Sequence, residues 1–290
     1  MSFLKNKIFT NYLSLIKFSH TLFALPFAII GYFIGLQHAN TNFDIRLFLL
    51  VVLCMVFARS AAMAFNRFID WKIDIENART AIREIPAGII KPSAARLFVV
   101  INCLLFITTT YFINSLCFYL SPVALLVILG YSYTKRFTAL CHIVLGIGLA
   151  LAPIGAYLAV TGKFHLLPVL FSFAVLFWVS GFDIIYALQD EEFDKTKNLK
   201  SIPVFLGKKG ALVLSTVLHV ASASFIICAG YFFNFGLSYW LGSIVFSGLL
   251  IYQHTLVKPN DLSKVNLAFF TTNGIASVVF AVFVIADLYL

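Results

Sequence analysis

Long apolar runs, separated by short polar or charged segments, recur along nearly the whole chain. Each run has about 20 residues, the length that an α-helix needs to cross a hydrocarbon core of ~30 Å. The pattern predicts an all-α membrane protein in which residues 1–290 form a single transmembrane domain. The nine predicted spans are 14–36, 47–69, 94–113, 115–134, 139–161, 166–189, 210–232, 236–256 and 265–287.

The composition supports this class of protein. The chain is 61% hydrophobic and only 11% charged, whereas soluble domains have roughly 25% charged residues. No removable signal peptide is expected, because the start of the chain lacks a short apolar stretch with a small-residue cleavage site. The five cysteines show no ligand spacing and are predicted to be small buried hydrophobes.

The basic residues predict the orientation in the membrane. With a cytoplasmic N-terminus, all 21 Lys and Arg residues fall on the inner side except Arg46 and Lys163, in outer loops, and Arg59, within a span. Such segregation follows the positive-inside rule, so the net charge of +9 indicates membrane orientation rather than nucleic-acid binding. The chain is therefore expected to be an integral multi-pass protein of a bacterial inner membrane.

Two polar arrays lie at the inner ends of spans 2 and 6. The first contains Asn66, Asp70 and Asp74, and the second contains Asp183, Tyr186, Asp190 and Asp194. At about 100° per residue, each array follows one face of a helix. Two such faces, brought together, predict a central cavity that opens at the cytoplasmic side of the bundle.

The residue types in these arrays favour a hard divalent cation. Magnesium prefers oxygen ligands and usually takes one or two carboxylates together with phosphate oxygens and water. We predict that Mg²⁺ ions hold a diphosphate between the two faces. The predicted metal ligands are Asn66, Asp70, Asp74, Asp190 and Asp194.

Basic and hydroxyl groups near the arrays are candidates for substrate binding. Arg59 shares the face of Asn66 and, being inside a span, needs a polar cavity or an anion such as an acceptor carboxylate. The predicted substrate-binding residues are Arg59, Arg67, Tyr131, Ser132, Lys135 and Arg136. The other basic residues nearby, Lys72, Arg79, Arg83 and Lys195, can also neutralise phosphate charge, although some of these are topology signals.

Asp183 and Tyr186 lie deeper on their face than the other acidic positions. They are the predicted catalytic residues, which orient the acceptor or assist its deprotonation. Isolated histidines at His142, His219 and His254 are predicted to be packing or local hydrogen-bonding residues.

The arrays and their neighbouring segments resemble those of the UbiA-type intramembrane aromatic prenyltransferases over essentially the whole chain. The matching segments are Asn66-Arg-Phe-Ile-Asp70-Trp-Lys-Ile-Asp74, Arg79-Thr80 with Arg83-Glu-Ile-Pro86-Ala-Gly88, Tyr131-Ser with Lys135-Arg136, and Asp183-Ile-Ile-Tyr186 with Asp190-Glu-Glu-Phe-Asp194. The resemblance implies Mg²⁺ at both motifs, a polyprenyl diphosphate donor and a small aromatic acceptor. The stretch from Lys17-Phe-Ser-His20 to Pro26 is similar to the 4-hydroxybenzoate polyprenyltransferase branch.

The expected reaction is Mg²⁺-dependent transfer of a polyprenyl group to a 4-hydroxybenzoate-like aromatic acid in quinone biosynthesis. Alternatives within the same chemistry are prenylation of a dihydroxynaphthoate in menaquinone biosynthesis and transfer to haem, a chlorophyll precursor or homogentisate. A polytopic cation transporter is the alternative from another class. However, transporter carboxylates usually lie near the bilayer midplane, whereas most of these lie at one interface.

Overall fold

The computed structural model describes residues 10–17 and 23–290, and this part of the chain contains helices but no β-strand. Lys5, Lys7 and His20 lie outside the described residues. Residues 10–15 are helical, and ten α-helices with described bounds follow in chain order, with a 3₁₀ turn at Leu188–Asp190 and a π-helical segment at Leu267–Thr272. The α-helices are α1 Leu25–Ala39, α2 Ile45–Asp74, α3 Pro92–Tyr111, α4 Ser115–Thr134, α5 Cys141–Thr161, α6 Leu166–Ala187, α7 Glu191–Thr196, α8 Ile202–Phe232, α9 Leu237–Leu256 and α10 Asn273–Tyr289.

Within the described residues, 7 helices are long and apolar enough to cross a membrane, which supports an integral membrane protein. They correspond to seven of the predicted spans. The span predicted at 14–36 overlaps α1, which has only 15 residues and ends at Ala39, and part of that span lies outside the described residues. The span predicted at 236–256 forms α9, which is long enough but carries polar side chains such as Gln253 and His254.

Buried aromatic rings join the helices of the second half of the chain to α1. Trp178 of α6 lies with its ring centroid 5.3 Å from that of Phe27 and 5.7 Å from that of Phe246. The Trp178 indole N–H donates to Asn273 Oδ1 at 2.8 Å, so the polar atom of this buried ring is satisfied. This aromatic core fixes α6, which carries Asp183 and Tyr186 of the second array, whereas Asp190 lies in the 3₁₀ turn after it and Asp194 lies in α7.

Helix α1 approaches α5 very closely at two glycines. A Cβ atom on Gly31 would come within 2.0 Å of the Pro153 carbonyl oxygen, and one on Gly35 within 2.9 Å of Val160 Cβ. Small residues at such positions let membrane helices pack backbone against backbone. The α1–α5 contact therefore requires a residue without a side chain at Gly31.

We predict that Gly31→Ala separates α1 from α5 and destabilises the protein by about 1–3 kcal/mol, the usual cost of overpacking. The measurement is the thermal unfolding midpoint of the purified protein in detergent. Gly155→Ala is the matched control, because a Cβ there meets nothing within 4 Å. An unchanged midpoint for Gly31→Ala would contradict the close contact.

Candidate active site

The two polar arrays of the sequence meet around one cavity at the end of the bundle where α2 and α6 finish. The cavity contains about 1030 Å³ of empty space, its open mouth included. Its walls include the predicted site residues Asn66, Asp70, Asp74, Tyr131, Ser132, Lys135, Arg136, Asp183, Tyr186, Asp190 and Asp194. Residues more than a hundred positions apart in the chain thus face a common space.

Each aspartate that was predicted to bind metal is paired with a basic side chain. The pairs are Arg136–Asp70 at 2.7 Å, Arg83–Asp74 at 2.8 Å, Lys135–Asp194 at 2.8 Å and Arg79–Asp190, in which Arg79 Nε donates to Asp190 Oδ1 at 2.9 Å. Most of these groups are largely shielded from solvent, and Asp194 is only 1% exposed. The acidic and basic groups therefore neutralise one another within the cavity wall.

These pairs connect different parts of the chain. Arg79 follows α2 but reaches Asp190 beside α6, while Lys135 and Arg136, which follow α4, reach both arrays. Burial acts to lower the pKa of Arg79, but the hydrogen bonds and charge of Asp190 raise it above its ordinary value. The guanidinium therefore stays charged and holds the two helix ends together.

The donor atoms of the arrays fit a hard cation, since they are carboxylate and amide oxygens. The Asp194 carboxylate is buried, and its side-chain partners Lys135 and Ser201 leave lone pairs of its oxygens free for a ligand. In residues 10–17 and 23–290, no three Asp, Glu, His or Cys side chains form a ready-made metal cluster. The set is thus suited to a cation held by one or two carboxylates and completed by phosphate oxygens and water.

Asp183 and Tyr186 form the deeper wall of the cavity. The Tyr186 hydroxyl accepts a hydrogen bond from Arg79 Nη1 at 3.0 Å, and its ring stacks on Phe269 with 4.2 Å between centroids. Asp183 Oδ2 lies 2.7 Å from His142 Nδ1. Both predicted catalytic side chains are therefore held by specific partners.

His142, predicted to be a packing or local hydrogen-bonding residue, does form a hydrogen bond, and its partner is Asp183. Its ring also lines the cavity, which the sequence did not indicate. His219 and His254 agree with the predicted structural role. Their rings are hydrogen bonded to each other at 2.7 Å, and His219 also contacts the Trp178 carbonyl oxygen at 3.2 Å.

Two predicted substrate-binding residues do not line the cavity. Arg67 was expected to bind phosphate, but it is buried and pairs with Glu84 at 2.5 Å. Its position one residue after Asn66 turns it by about 100° from the motif face, towards the segment that follows α2. Arg59 lies about two helical turns deeper than Asn66, and its Nε atom is buried without a hydrogen-bond partner.

Arg79, Arg83 and Asn77 are more prominent in the cavity than the sequence indicated. Asn77 Nδ2 donates to Asp190 Oδ1 at 3.2 Å, and both arginines bind motif carboxylates. Arg79 and Arg83 are four residues apart directly after the first array, and this spacing was the available signal. Sequence alone did not separate them from basic residues that only determine membrane topology.

Several relatives are similar to this chain over most of their length. A 4-hydroxybenzoate octaprenyltransferase of Nitrosomonas eutropha is 31% identical over 82% of this chain and 83% of the relative. Another, of Saccharophagus degradans, is 32% identical over 82% of this chain and 79% of the relative.

Solved structures share the fold. An apo UbiA homologue from Aeropyrum pernix K1 superposes with a TM-score of 0.79 at 28% identity, covering 93% of this chain and 97% of that one. A UbiA homologue from Archaeoglobus fulgidus bound to GPP and Mg²⁺ gives a TM-score of 0.73 at 22% identity, covering 97% and 100% of the two chains.

The family model described as the UbiA prenyltransferase family matches residues 24–275, which include α1 to α9 and both polar arrays. The long matched region and the relatives at about 30% identity agree with each other. The chain therefore belongs to the UbiA prenyltransferase family.

Proposed function

We propose that this prenyltransferase transfers a polyprenyl group from an isoprenyl diphosphate to 4-hydroxybenzoate or a closely similar aromatic acid. The observation that carries the proposal is the set of carboxylate–base pairs around one cavity. The similar relatives named 4-hydroxybenzoate octaprenyltransferase support this acceptor and a role in quinone biosynthesis. A dihydroxynaphthoate remains the second acceptor to test.

The basic side chains of the cavity are the proposed diphosphate ligands. Arg79, Arg83, Lys135 and Arg136 all carry N–H donors at its wall. Arginine binds phosphate oxygens with paired donors, and these charge-assisted bonds are stronger than neutral ones. When a diphosphate binds, these side chains exchange a carboxylate partner for a phosphate oxygen, so the groups that neutralise the empty cavity also recognise the donor.

Asn66, Asp70, Asp74, Asp190 and Asp194 would hold Mg²⁺ once their basic partners turn to phosphate. The bound ion would supply positive charge that stabilises the departing diphosphate. The oxygen-only ligands and the lone pairs of the buried Asp194 carboxylate support this assignment.

The acceptor is proposed to lie deeper in the cavity, against Tyr131, Ser132, Asp183 and Tyr186. Tyr131, at this wall, lies within electrostatic range of both Asp183 and Arg59, which relates the buried guanidinium to the cavity. Although Arg59 does not line the cavity of the unliganded structure, it is the proposed partner of the acceptor carboxylate, because its Nε has no partner and a buried arginine needs an anion. In a carboxylated phenol, the carboxylate would then face Arg59 and the hydroxyl would face the other end of the subsite.

The proposed reaction is electrophilic aromatic substitution. The positively charged Arg and Lys side chains of the cavity stabilise negative charge as the allylic C–O bond breaks and its electron pair leaves with the diphosphate. The ring carbon of the acceptor forms the new C–C bond with the allylic carbon. Asp183 or Tyr186 orients the acceptor and assists removal of the ring proton.

We also propose that residues 1–290 act as one transmembrane domain of nine spans, with the N-terminus and the cavity mouth on the cytoplasmic side. The distribution of Lys and Arg residues supports this orientation. Bacterial relatives support an inner-membrane location. A cation transporter is less consistent with the chain, because the acidic groups of the two arrays lie at one end of the bundle beside Arg and Lys side chains. The chain also belongs to a family of transferases.

We predict that Asp70→Ala and Asp190→Ala each lower kcat by at least about 10²–10³-fold, because each would remove a ligand of the Mg²⁺ whose positive charge stabilises the departing diphosphate. Turnover is measured in membranes with labelled prenyl diphosphate, Mg²⁺ and 4-hydroxybenzoate, and EDTA should abolish it. Glu76→Gln is the matched control, since Glu76 is 55% exposed, pairs with Lys197 and does not line the cavity. Full activity in EDTA would contradict the metal requirement.

We predict that Arg59→Met lowers kcat/KM for a carboxylated acceptor by about 10- to 100-fold, the usual worth of a hydrogen-bonded charge. For the decarboxylated phenol, the kcat/KM of the same variant should be nearly that of the parent protein. Arg96→Met, at an exposed position of α3, is the control. Equal losses for the two acceptors would end the assignment of Arg59.

A further inference from the structure

His142 lies at the start of α5 and contacts Asp183 at the cavity wall. Its side chain is 5% exposed, whereas that of Asp183 is 23% exposed. The carboxylate is therefore the more open of the two groups, and the imidazole supports it. The proposed reaction uses Asp183 but gives no role to this histidine.

The two ring nitrogens of His142 have different partners. The backbone N–H of Ile202 donates to Nε2 at 3.4 Å, and Nδ1 lies 2.7 Å from Asp183 Oδ2. Ile202 is the first residue of α8, and the first N–H groups of a helix have no partner within it. Because Nε2 accepts, the proton resides on Nδ1, which donates to Asp183.

The packing of α5 on α6 fixes this contact. Gly146, one turn after His142, lies so close to α6 that a Cβ atom there would come within 2.5 Å of the Leu176 carbonyl oxygen. Ser180, three residues before Asp183, is buried and donates to the carbonyl oxygens of Leu176 at 2.7 Å and His142 at 3.2 Å. The register of the two helices therefore sets His142 against Asp183.

In the described part of the chain, Asp183 Oδ1 makes no hydrogen bond, whereas Oδ2 is held by His142. We propose that His142 is a positioning residue, whose Nδ1–H fixes the Asp183 carboxylate so that Oδ1 points to the acceptor. This inference rests on the acceptor-side role of Asp183 given under Proposed function. The two hydrogen bonds then link the α8 N-terminus to His142 and His142 to the Asp183 carboxylate.

The proton balance of the step is simple. The ring carbon gains the prenyl group and loses its proton, and the diphosphate departs with the C–O electron pair. Oδ1 of the Asp183 carboxylate takes the ring proton and later returns it to solvent through the cavity mouth. His142 keeps its Nδ1 proton throughout and donates it to Oδ2 as a hydrogen bond.

The test uses His142→Leu, His142→Asn and Asp183→Asn in the full-length protein. Asn carries its amide nitrogen at nearly the same distance from Cα as Nδ1, so it can replace the hydrogen bond, whereas Leu cannot. We expect His142→Leu to lower kcat/KM for the acceptor by about 10- to 100-fold at an unchanged donor KM, as for a lost bond to a charged group. His142→Asn should recover most of this loss.

The double variant separates positioning from a general structural effect. In the Asp183→Asn protein, adding His142→Leu should cost less acceptor affinity than in the parent, measured as the Kd of 4-hydroxybenzoate, because a hydrogen bond from Nδ1–H to a neutral amide is weaker than one to a carboxylate. His38→Leu, a histidine removal outside the cavity wall, should leave activity unchanged. Thermal unfolding midpoints of all variants show which of them fold.

Three outcomes would overturn the inference: full activity of His142→Leu, no recovery with a folded His142→Asn, or equal effects of His142→Leu on Kd in the parent and Asp183→Asn proteins. Failure of the Asp183 role is recognised separately. In that case Asp183→Asn alone would retain the parent kcat and acceptor KM.

Discussion

Neutralisation of charge at one end of an apolar helical bundle is the constraint on which the site depends. A buried charge without a partner costs several kcal/mol, so each carboxylate of the two arrays must find a base. Asp70 pairs with Arg136 and Asp194 pairs with Lys135, both from the connection between α4 and α5. Asp190 pairs with Arg79 from the segment after α2. These requirements bring separate elements together around one cavity.

The same pairing gives the site its suitability for a charged ligand. Within each of the four pairs the acidic and basic groups compensate each other's charge without substrate. Under the proposed function, the carboxylate oxygens would bind a cation and the N–H groups would bind a phosphate when the partners separate. An apolar wall would be at least as stable, as buried ion pairs add little net stability. The pairs are therefore better explained by the chemistry of prenyl transfer than by folding.

The deeper wall depends on contacts from helices outside the acidic arrays. Phe269 in the π-helical segment stacks on Tyr186, and Asn273 at the start of α10 donates to the carbonyl oxygens of Ala268 and Phe269 at 3.0 Å. His142 and the N-terminus of α8 support Asp183 in the same manner. The groups proposed to contact the acceptor are thus held by side chains that the motifs do not contain.

The helical class, most of the spans and the two arrays are predictable from the sequence. Apolar length and the spacing of Asp70, Asp74, Asp190 and Asp194 are local properties, and they can be read from single segments. The pairing of Arg67 with Glu84, of Arg79 with Asp190 and of His142 with Asp183 becomes visible only in the packed helices. These partners lie between 17 and 111 residues apart, and helix packing, which no local pattern encodes, determines which of them meet.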